Sequence, residues 1–353
     1  MARAHLASGH SGVVLASSTL CDPSRVTTET AGLCTLTVRV VKAWRWGQRA
    51  TSVRLLARAL VEARTSEVVV IHGFYLWSSV IGWVAASLWK KPLMLQPHGV
   101  FERYQQAHSR RAKATYDWLV GRRIRSAVSA VLIASESEAV GAGDFISSER
   151  IYVVGLGVDE RSPRPLGPVH SPLRVLSLCR IAETKRLDVV IEAIASLRAV
   201  GFIADLTVAG TGSSELTDRL KNQARELGLD EHVRFVGHLD SERKAEALKA
   251  TDLLIQVSDN ENFAIAVAEA LASGVPVIVS RGVAASQFVA SSGAGRVVDR
   301  PNPSLIVEAL MDMISDKGGY EQACKAGVEV AHERLSWASV NERWRDQIER
   351  ITA

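Results

Sequence analysis

This sequence lacks long hydrophobic runs. No apolar stretch reaches the ~18 residues of a membrane-spanning helix. The nearest approach, Val80 to Leu88, is followed by Lys90 and Lys91. The opening MARAHLASGH has no hydrophobic segment of the signal-peptide kind. Cysteine is scarce and scattered (Cys21, Cys34, Cys179 and Cys324), and no C-x-x-C pair occurs. That spacing argues against a dithiol or zinc-ribbon site and predicts reduced, structural thiols, as in the cytoplasm. No D-x-D, H-E-x-x-H or Cys/His cluster is present to seat a metal. Charge of one sign is also lacking: 42 Lys and Arg oppose 38 Asp and Glu, a net +4 with a pI near 8.9. Such a balance permits an anionic ligand or surface without requiring one. These absences predict a soluble protein, at most peripherally attached to a membrane.

What is present is an alternation. The 353 residues, 47% apolar and 23% charged, suffice for two globular domains with separate cores. Short β-branched runs alternate with amphipathic helical runs, which predicts an α/β protein with parallel sheets covered on both faces. In the first half, strands are expected at 13–17, 36–40, 68–72, 93–96, 130–134 and 151–154, with helices at 53–63 and 78–88. The stretch ERSPRPLGPVHSP, residues 160–172, holds four of the ten prolines and marks a boundary. Beyond it, strands are expected at 174–178, 205–208, 233–236, 253–257 and 275–279. The helices there fall at 187–198, 214–227, 241–250 and 265–273. A last helix, 338–351, carries Trp344 and Ile348 on one face. The expected division is residues 1–160 with 336–353, a linker at 161–172, and a second domain at 173–335.

The beginning departs from this scheme. It reads as a helix end, a Gly9 turn and a strand, whereas domains of this kind open on a strand and a glycine-containing loop. That first strand is usually central, and its loss leaves neighbouring strand edges unpaired. The expectation is a first domain without its opening strand and loop, either because the start falls late or because the sheet manages without them.

Three stretches carry chemistry. In ENFAIAVAEALASGVPVIVS, Glu261 and Glu269 sit eight apart in an otherwise apolar run. Asp259, Asn260 or Asn262 is placed to cap a helix that Gly274 and Pro276 then end. Eight helical residues rise about 12 Å, so Glu261 falls at the helix mouth and Glu269 two turns down. Backbone N–H groups at such a mouth receive a phosphate, and carboxylates on either side accept hydroxyl hydrogens. The alternative is one acid favoured by the helix dipole and one solvated helix acid. In LSLCRIAETKRLD, Arg180 follows a strand and Lys185 precedes a helix, where sheets of this type bind ligands. Two such cations suit a diphosphate; otherwise they are solvated loop charges. In LTVAGTGSSEL, Gly210 and Gly212 permit close backbone approach, or simply make a tight turn.

In combination these stretches resemble the family 4 glycosyltransferases of the GT-B fold. ENFAIAVAEALASGVPVIVS is similar to the family's Glu-x7-Glu motif and following strand, CRIAETKRLD to its Gly-Arg…Lys-Gly segment, and VAGTG to its Gly-x-Gly turn. FVGHLD and ATDLLIQVSDNENF continue the likeness, and VVVIHGFYLWSS, LMLQPHGVFE and LIASESEA resemble acceptor-domain strands of the exopolysaccharide branch. The resemblance implies two Rossmann-like domains facing across a cleft, with a nucleotide-diphosphate sugar bound mainly to the second and no separate cofactor. It implies that Glu261 contacts the donor sugar and Glu269 the ribose, while Arg180 and Lys185 hold the diphosphate. It implies that the backbone of Asn262, Phe263, Ala264 and Ile265 supports the same phosphate, and that His98 in PHG reaches sugar or acceptor. An isolated loop histidine otherwise has a structural role. Transfer with retention of configuration and without a metal follows from the same resemblance.

Departures from the family pattern are Cys179 before Arg180, Arg186 after Lys185, and Ala264, each where the family has glycine. Separately, Arg103, Arg110, Arg111, Lys113, Arg122, Arg123 and Arg125 are interspersed with Tyr104, Tyr116 and Trp118. This basic stretch suits an anionic membrane surface or a lipid-linked acceptor, or is a solvated helix face; no nucleic-acid motif accompanies it. The expected activity is transfer of a hexose from a nucleotide sugar to a saccharide or lipid-linked glycan on the cytoplasmic side of a membrane. The alternatives are a non-catalytic nucleotide-sugar-binding remnant and, more remotely, an epimerase.

Overall fold

The computed structural model describes residues 12–17, 36–41, 44–46, 49–51, 53–102, 105–106 and 109–353. The opening residues with their Gly9 turn, Cys21, Cys34, Arg103 and Tyr104 lie outside the described residues. The chain divides into two compact units: Met1–Gly157 with Trp337–Ala353, and Val158–Ser336.

In the first unit, β1 (Gly12–Ser17) pairs in parallel with β2 (Leu36–Val41), and β3 (Trp44–Trp46) with β4 (Arg49–Thr51) makes a short antiparallel hairpin. Strands β5 (Val69–His72), β6 (Leu93–Gln96), β7 (Val128–Ile133) and β8 (Ile151–Val153) form a separate parallel sheet in sequence order. Among the described residues no strand joins β1 to β5. Side chains of β6 alternate between two cores, as the strand period demands. Leu93 and Leu95 meet Phe74, Phe101 and Ile124 on one face. Met94 meets Val340 and Trp344 of the Trp337–Thr352 helix on the other. The face carrying Trp344 and Ile348 therefore attaches the C-terminal helix to this unit, and Arg343 Nε donates to the Val154 carbonyl at 2.9 Å.

The second unit is a six-stranded parallel sheet: β9 (Leu173–Leu178), β10 (Ala204–Ala209), β11 (Val233–Gly237), β12 (Leu253–Gln256), β13 (Val277–Ser280) and β14 (Gly295–Val298). Their order in space is β11-β10-β9-β12-β13-β14. This is the doubly wound order, and the direction of winding reverses between β9 and β12. β12 and β13 are buried at every residue because helices cover both faces, which is why their sequences are nearly unbroken apolar runs. β13 starts at Val277 rather than 275 because Pro276 has no N–H for the ladder. β14 was not legible: GRVV is four residues long and opens with glycine.

Residues 161–172, read as a linker, pack on this second unit. Arg164 is buried and donates to the Thr251 carbonyl (2.5 Å) and to Tyr320 Oη (3.0 Å), with Asp252 Oδ1 at 3.5 Å. Asp252, also buried, accepts from His170 Nδ1 (2.7 Å) and from the backbone N–H of His170 and Arg174. Among the described residues no helix is long and apolar enough to cross a membrane. Breaking a buried pair leaves an uncompensated charge in the interior. Arg164→Met is therefore expected to destabilise the second unit by about 3–5 kcal/mol, read as a lowered urea midpoint in a tryptophan-independent probe such as far-UV circular dichroism.

Candidate active site

Three loops at the C-terminal ends of β9, β10 and β12 build the site in the second unit. The loop after β9 is zipped to the loop after β10: Cys179 N–H donates to the Ala209 carbonyl (3.0 Å) and Ile181 N–H to the Thr211 carbonyl (2.9 Å). Gly210 and Gly212 make this possible. A Cβ on Gly210, at φ +143°, would lie 1.8 Å from the Cys179 carbonyl oxygen, and one on Gly212 2.2 Å from that of Ile181. The close approach these glycines allow is thus between two loops. It leaves Arg180 exposed at the strand end. The Cys179 thiol beside it is pushed up to about 11 by burial, partly opposed by the charge of Lys185.

The loop after β9 is tied in turn to the loop after β12, because the Thr184 carbonyl accepts from Asp259 N–H (3.0 Å) and Ser258 Oγ (2.6 Å). Lys185, in a 3-10 turn, reaches across and pairs with the Glu261 carboxylate. Glu261 is itself fixed by its backbone, which donates to the Gly282 carbonyl (2.8 Å) and accepts from Ala284 N–H (3.0 Å). The helix beyond spans Ile265–Ala272, with Ala264 as its N-cap residue in the left-handed region (φ 59°, ψ 68°) and no side-chain cap. The N-cap position therefore falls on Ala264 rather than on Asp259, Asn260 or Asn262, contrary to the sequence expectation, because the loop bends there. Alanine supplies no side-chain oxygen to the first N–H groups of the helix. Phe263 is buried with its ring 6.4 Å from Phe288, whereas Ile265 is half exposed.

Glu269 is not a solvated helix acid. Only 12% of its side chain is exposed, and its Oε1 is bound by Lys244 Nζ and, at 3.3 Å, by Arg161. Neither cation was singled out in the sequence, where nothing in their spacing links them to Glu269.

His98 belongs to the first unit, in the loop after β6. It takes φ 56°, and its Nε2 lies 3.1 Å from His72 Nδ1 with the rings stacked at 5.4 Å. Burial pushes its pKa below the ordinary 6.5, and the Glu138 charge pulls it partly back. Glu138 is wholly buried and accepts from the N–H groups of Gly99 and Ala134. The Ser135-x-x-Glu138 capping pattern was the available signal for this residue. Among the described residues no group of three or more His, Cys, Asp or Glu is placed to hold a metal ion.

A family profile described as "Glycosyl transferases group 1" matches residues 158–329, and one described as "Glycosyl transferase 4-like domain" matches residues 1–157. The chain belongs to the family 4 glycosyltransferases. The D-inositol 3-phosphate glycosyltransferase of Corynebacterium efficiens is 27% identical over 292 residues, 76% of this chain and 68% of that relative. The phosphatidyl-myo-inositol mannosyltransferase of Mycobacterium leprae is 29% identical over 190 residues, 53% of this chain and 49% of the relative. The structure of Anabaena Alr3699/HepE in complex with UDP-glucose matches with a TM-score of 0.77 at 17% identity, over 99% of this chain and 95% of that one. That likeness establishes the GT-B fold of this glycosyltransferase.

Two of the departures from the family pattern acquire a physical meaning here. Arg186 (φ 44°) and Ala264 (φ 59°) both sit in the left-handed region, where glycine is unstrained and other residues are not. Arg186 is held there by its guanidinium, which binds Asp188 at 3.0 Å and approaches Asp259 at 3.6 Å. Ala264 has no polar group to do the same. Ala264→Gly in this transferase is expected to raise stability by roughly 0.5–1 kcal/mol, the relieved strain less the added unfolded-state entropy. Equilibrium denaturation of the two proteins side by side measures it, and a loss of stability would contradict the strain.

Proposed function

We propose that this glycosyltransferase moves a hexose, with retention of configuration, from a nucleotide-diphosphate sugar to a saccharide or lipid-linked glycan. The observation that carries the reading is the arrangement at the ends of β9 and β12. Lys185 pairs with Glu261 just ahead of the Ile265–Ala272 helix, whose N-cap residue Ala264 has no polar side chain. Arg180 stands exposed at the end of β9 and Glu269 lies within the helix, which supports reading the helix mouth as the place for a diphosphate. Negative charge grows on the departing phosphate oxygen in the transition state, and fixed cations with aligned N–H groups stabilise it. Arg180 and Lys185 supply this charge, so the proposed transfer does not call on a metal. Glu261 accepts hydroxyl hydrogens of the sugar and Glu269 those of the ribose. The departing phosphate assists deprotonation of the acceptor, and no separate general base is assigned. UDP and UDP-glucose in the Anabaena Alr3699/HepE structures support a nucleotide-sugar donor, and the inositol-phosphate relatives support a hydroxyl-rich acceptor.

Glu261 pairs with Lys185, so a donor phosphate and the Glu261 carboxylate compete for one ammonium, which sets opposite signs for two ligands. Glu261→Gln is expected to bind free UDP or GDP more tightly, because the ammonium is released. The same change is expected to lower kcat/KM with UDP-glucose or GDP-mannose by about 10- to 100-fold, the effect of one lost hydrogen bond to a charged group. Calorimetry and a transfer assay, run with EDTA and a panel of saccharide and inositol-phosphate acceptors, test both. Weaker UDP and GDP binding in the variant overturns the assignment of Lys185 and Glu261. Binding with the expected signs but no transfer assigns a nucleotide-sugar-binding protein instead.

We infer peripheral attachment to the cytoplasmic face of an anionic membrane through part of the basic stretch. Trp118 and Leu119 are 73% and 50% exposed in a five-residue π-turn, flanked by exposed Arg110, Arg111, Arg122 and Arg123. Tyr116 and Arg125 face inward: Tyr116 Oη donates to the Phe74 carbonyl, and Arg125 pairs with Asp117 at 2.5 Å. Each basic residue near such a surface contributes about 1 kcal/mol. Arg122→Ala with Arg123→Ala is expected to weaken sedimentation with phosphatidylserine-containing vesicles about 10- to 30-fold. Equal binding to neutral vesicles would sink this inference.

A further inference from the structure

We propose that Glu138 is the positioning residue for His98, holding the loop after β6 in the left-handed conformation that presents the imidazole. The inference rests on the reading of His98 as a group that reaches the sugar or the acceptor, and it concerns a residue that this reading does not itself assign.

Glu138 is the third residue of the Glu136–Gly143 helix, whose N-cap, Ser135, accepts from Glu138 N–H at 3.3 Å. In a reciprocal capping box the glutamate would turn back to the N-cap N–H. In this chain the carboxylate reaches beyond its own helix and spans two loops: Oε2 accepts from Ala134 N–H at 2.9 Å, and Oε1 from Gly99 N–H. A wholly buried carboxylate is tolerated only when paired or hydrogen-bonded, so these two bonds are held firmly. Gly99 is the residue after His98, and both have positive φ, 79° and 56°. A non-glycine residue keeps such a conformation only where its surroundings impose it. Glu138 is the group that grips the backbone at that point.

The same carboxylate acts on the ring. Among the described residues the titratable groups that face His98 are His72, from the end of β5, and Glu138. His72 Nδ1 and His98 Nε2 are 3.1 Å apart, so one of these nitrogens must lack a proton. Burial favours the neutral His98 ring, and the Glu138 charge opposes that preference. Replacing the carboxylate with an amide removes the opposition and turns an NH2 toward one of the two backbone N–H groups. His98 should then titrate lower, and its loop should shift.

The test is a double-mutant cycle with His98→Ala. With the nucleotide sugar that the wild type turns over, UDP-glucose or GDP-mannose, Glu138→Gln is expected to lower kcat about 10-fold with the donor KM unchanged, the effect of a sub-ångström displacement. In the His98→Ala background the same change is expected to cost nothing further. A merely structural Glu138 would reduce activity equally in both backgrounds, and that additivity overturns the proposal. Side-chain NMR titration supplies an independent arm: the His98 pKa falls in Glu138→Gln, and an unmoved titration also overturns it. Glu138→Asp, which keeps the charge but is too short to span both loops, enters the same cycle should the glutamine variant fold poorly. If the wild-type chain transfers no sugar, the functional reading fails, and the NMR arm still decides whether Glu138 controls His98.

Discussion

The parallel pairing of β9 with β12 is the constraint on which the donor-side site depends. These strands are distant in sequence yet neighbours in the sheet, with Leu253 opposite Val175 and Leu254 opposite Leu176. The chain winds outward from them in both directions, through β10 and β11 on one side and β13 and β14 on the other. Crossovers that leave in opposite directions open the loops at the two strand ends, and ligands bind at such a point. The Thr184 carbonyl, accepting from both Asp259 and Ser258, fixes how far the loops part. Lys185 and Glu261 meet across that tie, whereas Arg180 is placed by the bonds of its neighbours Cys179 and Ile181 to the loop after β10.

Two carboxylates in an apolar run raise an energetic question, and the structure answers it with cations. Glu261 has Lys185, and Glu269 has Lys244 and Arg161, so neither charge is buried alone. The two carboxylates are thus matched by three cations, and a donor would exchange partners with groups already oriented, without forcing new charges out of water. This also explains why a helix of eight residues with no side-chain cap is stable: five of those residues are buried against the sheet, and packing rather than capping holds it.

Much of this was legible in the sequence, for reasons that also explain what was not. Strands covered on both faces need continuous apolar residues, so β12 and β13 announce themselves in LLIQ and VIVS. The separation of β1 and β2 from the β5–β8 sheet did not, because pairing between distant strands leaves no local trace. Glu261 and Glu269 were readable from a motif nine residues long. Arg161 and Lys244 were not, since they come to Glu269 from 108 and 25 residues away. His72 reaches His98 across 26 residues and Glu138 reaches Gly99 across 39, for the same reason. The start of the Ile265–Ala272 helix is where its apolar run predicts it, but the capping residue was misread, because a polar run suggested a cap whereas the backbone turns at Ala264.

Backbone conformation links the two candidate regions without any appeal to shared residues. Among the described residues, five that are not glycine have positive φ: Lys90, His98, Ser109, Arg186 and Ala264. Three of the five lie in loops at the C-terminal ends of parallel strands, at the residues assigned to bind or flank a substrate. Such conformations persist only where hydrogen bonds over-determine them. His98 has the grip of Glu138 on the next residue, and Arg186 has Asp188 and Asp259 on its guanidinium. Ala264 has only its own helix and the packing of Phe263. The least supported of the three thus sits at the mouth proposed for a phosphate, and a bound anion hydrogen-bonding the N–H groups there would add support at Ala264.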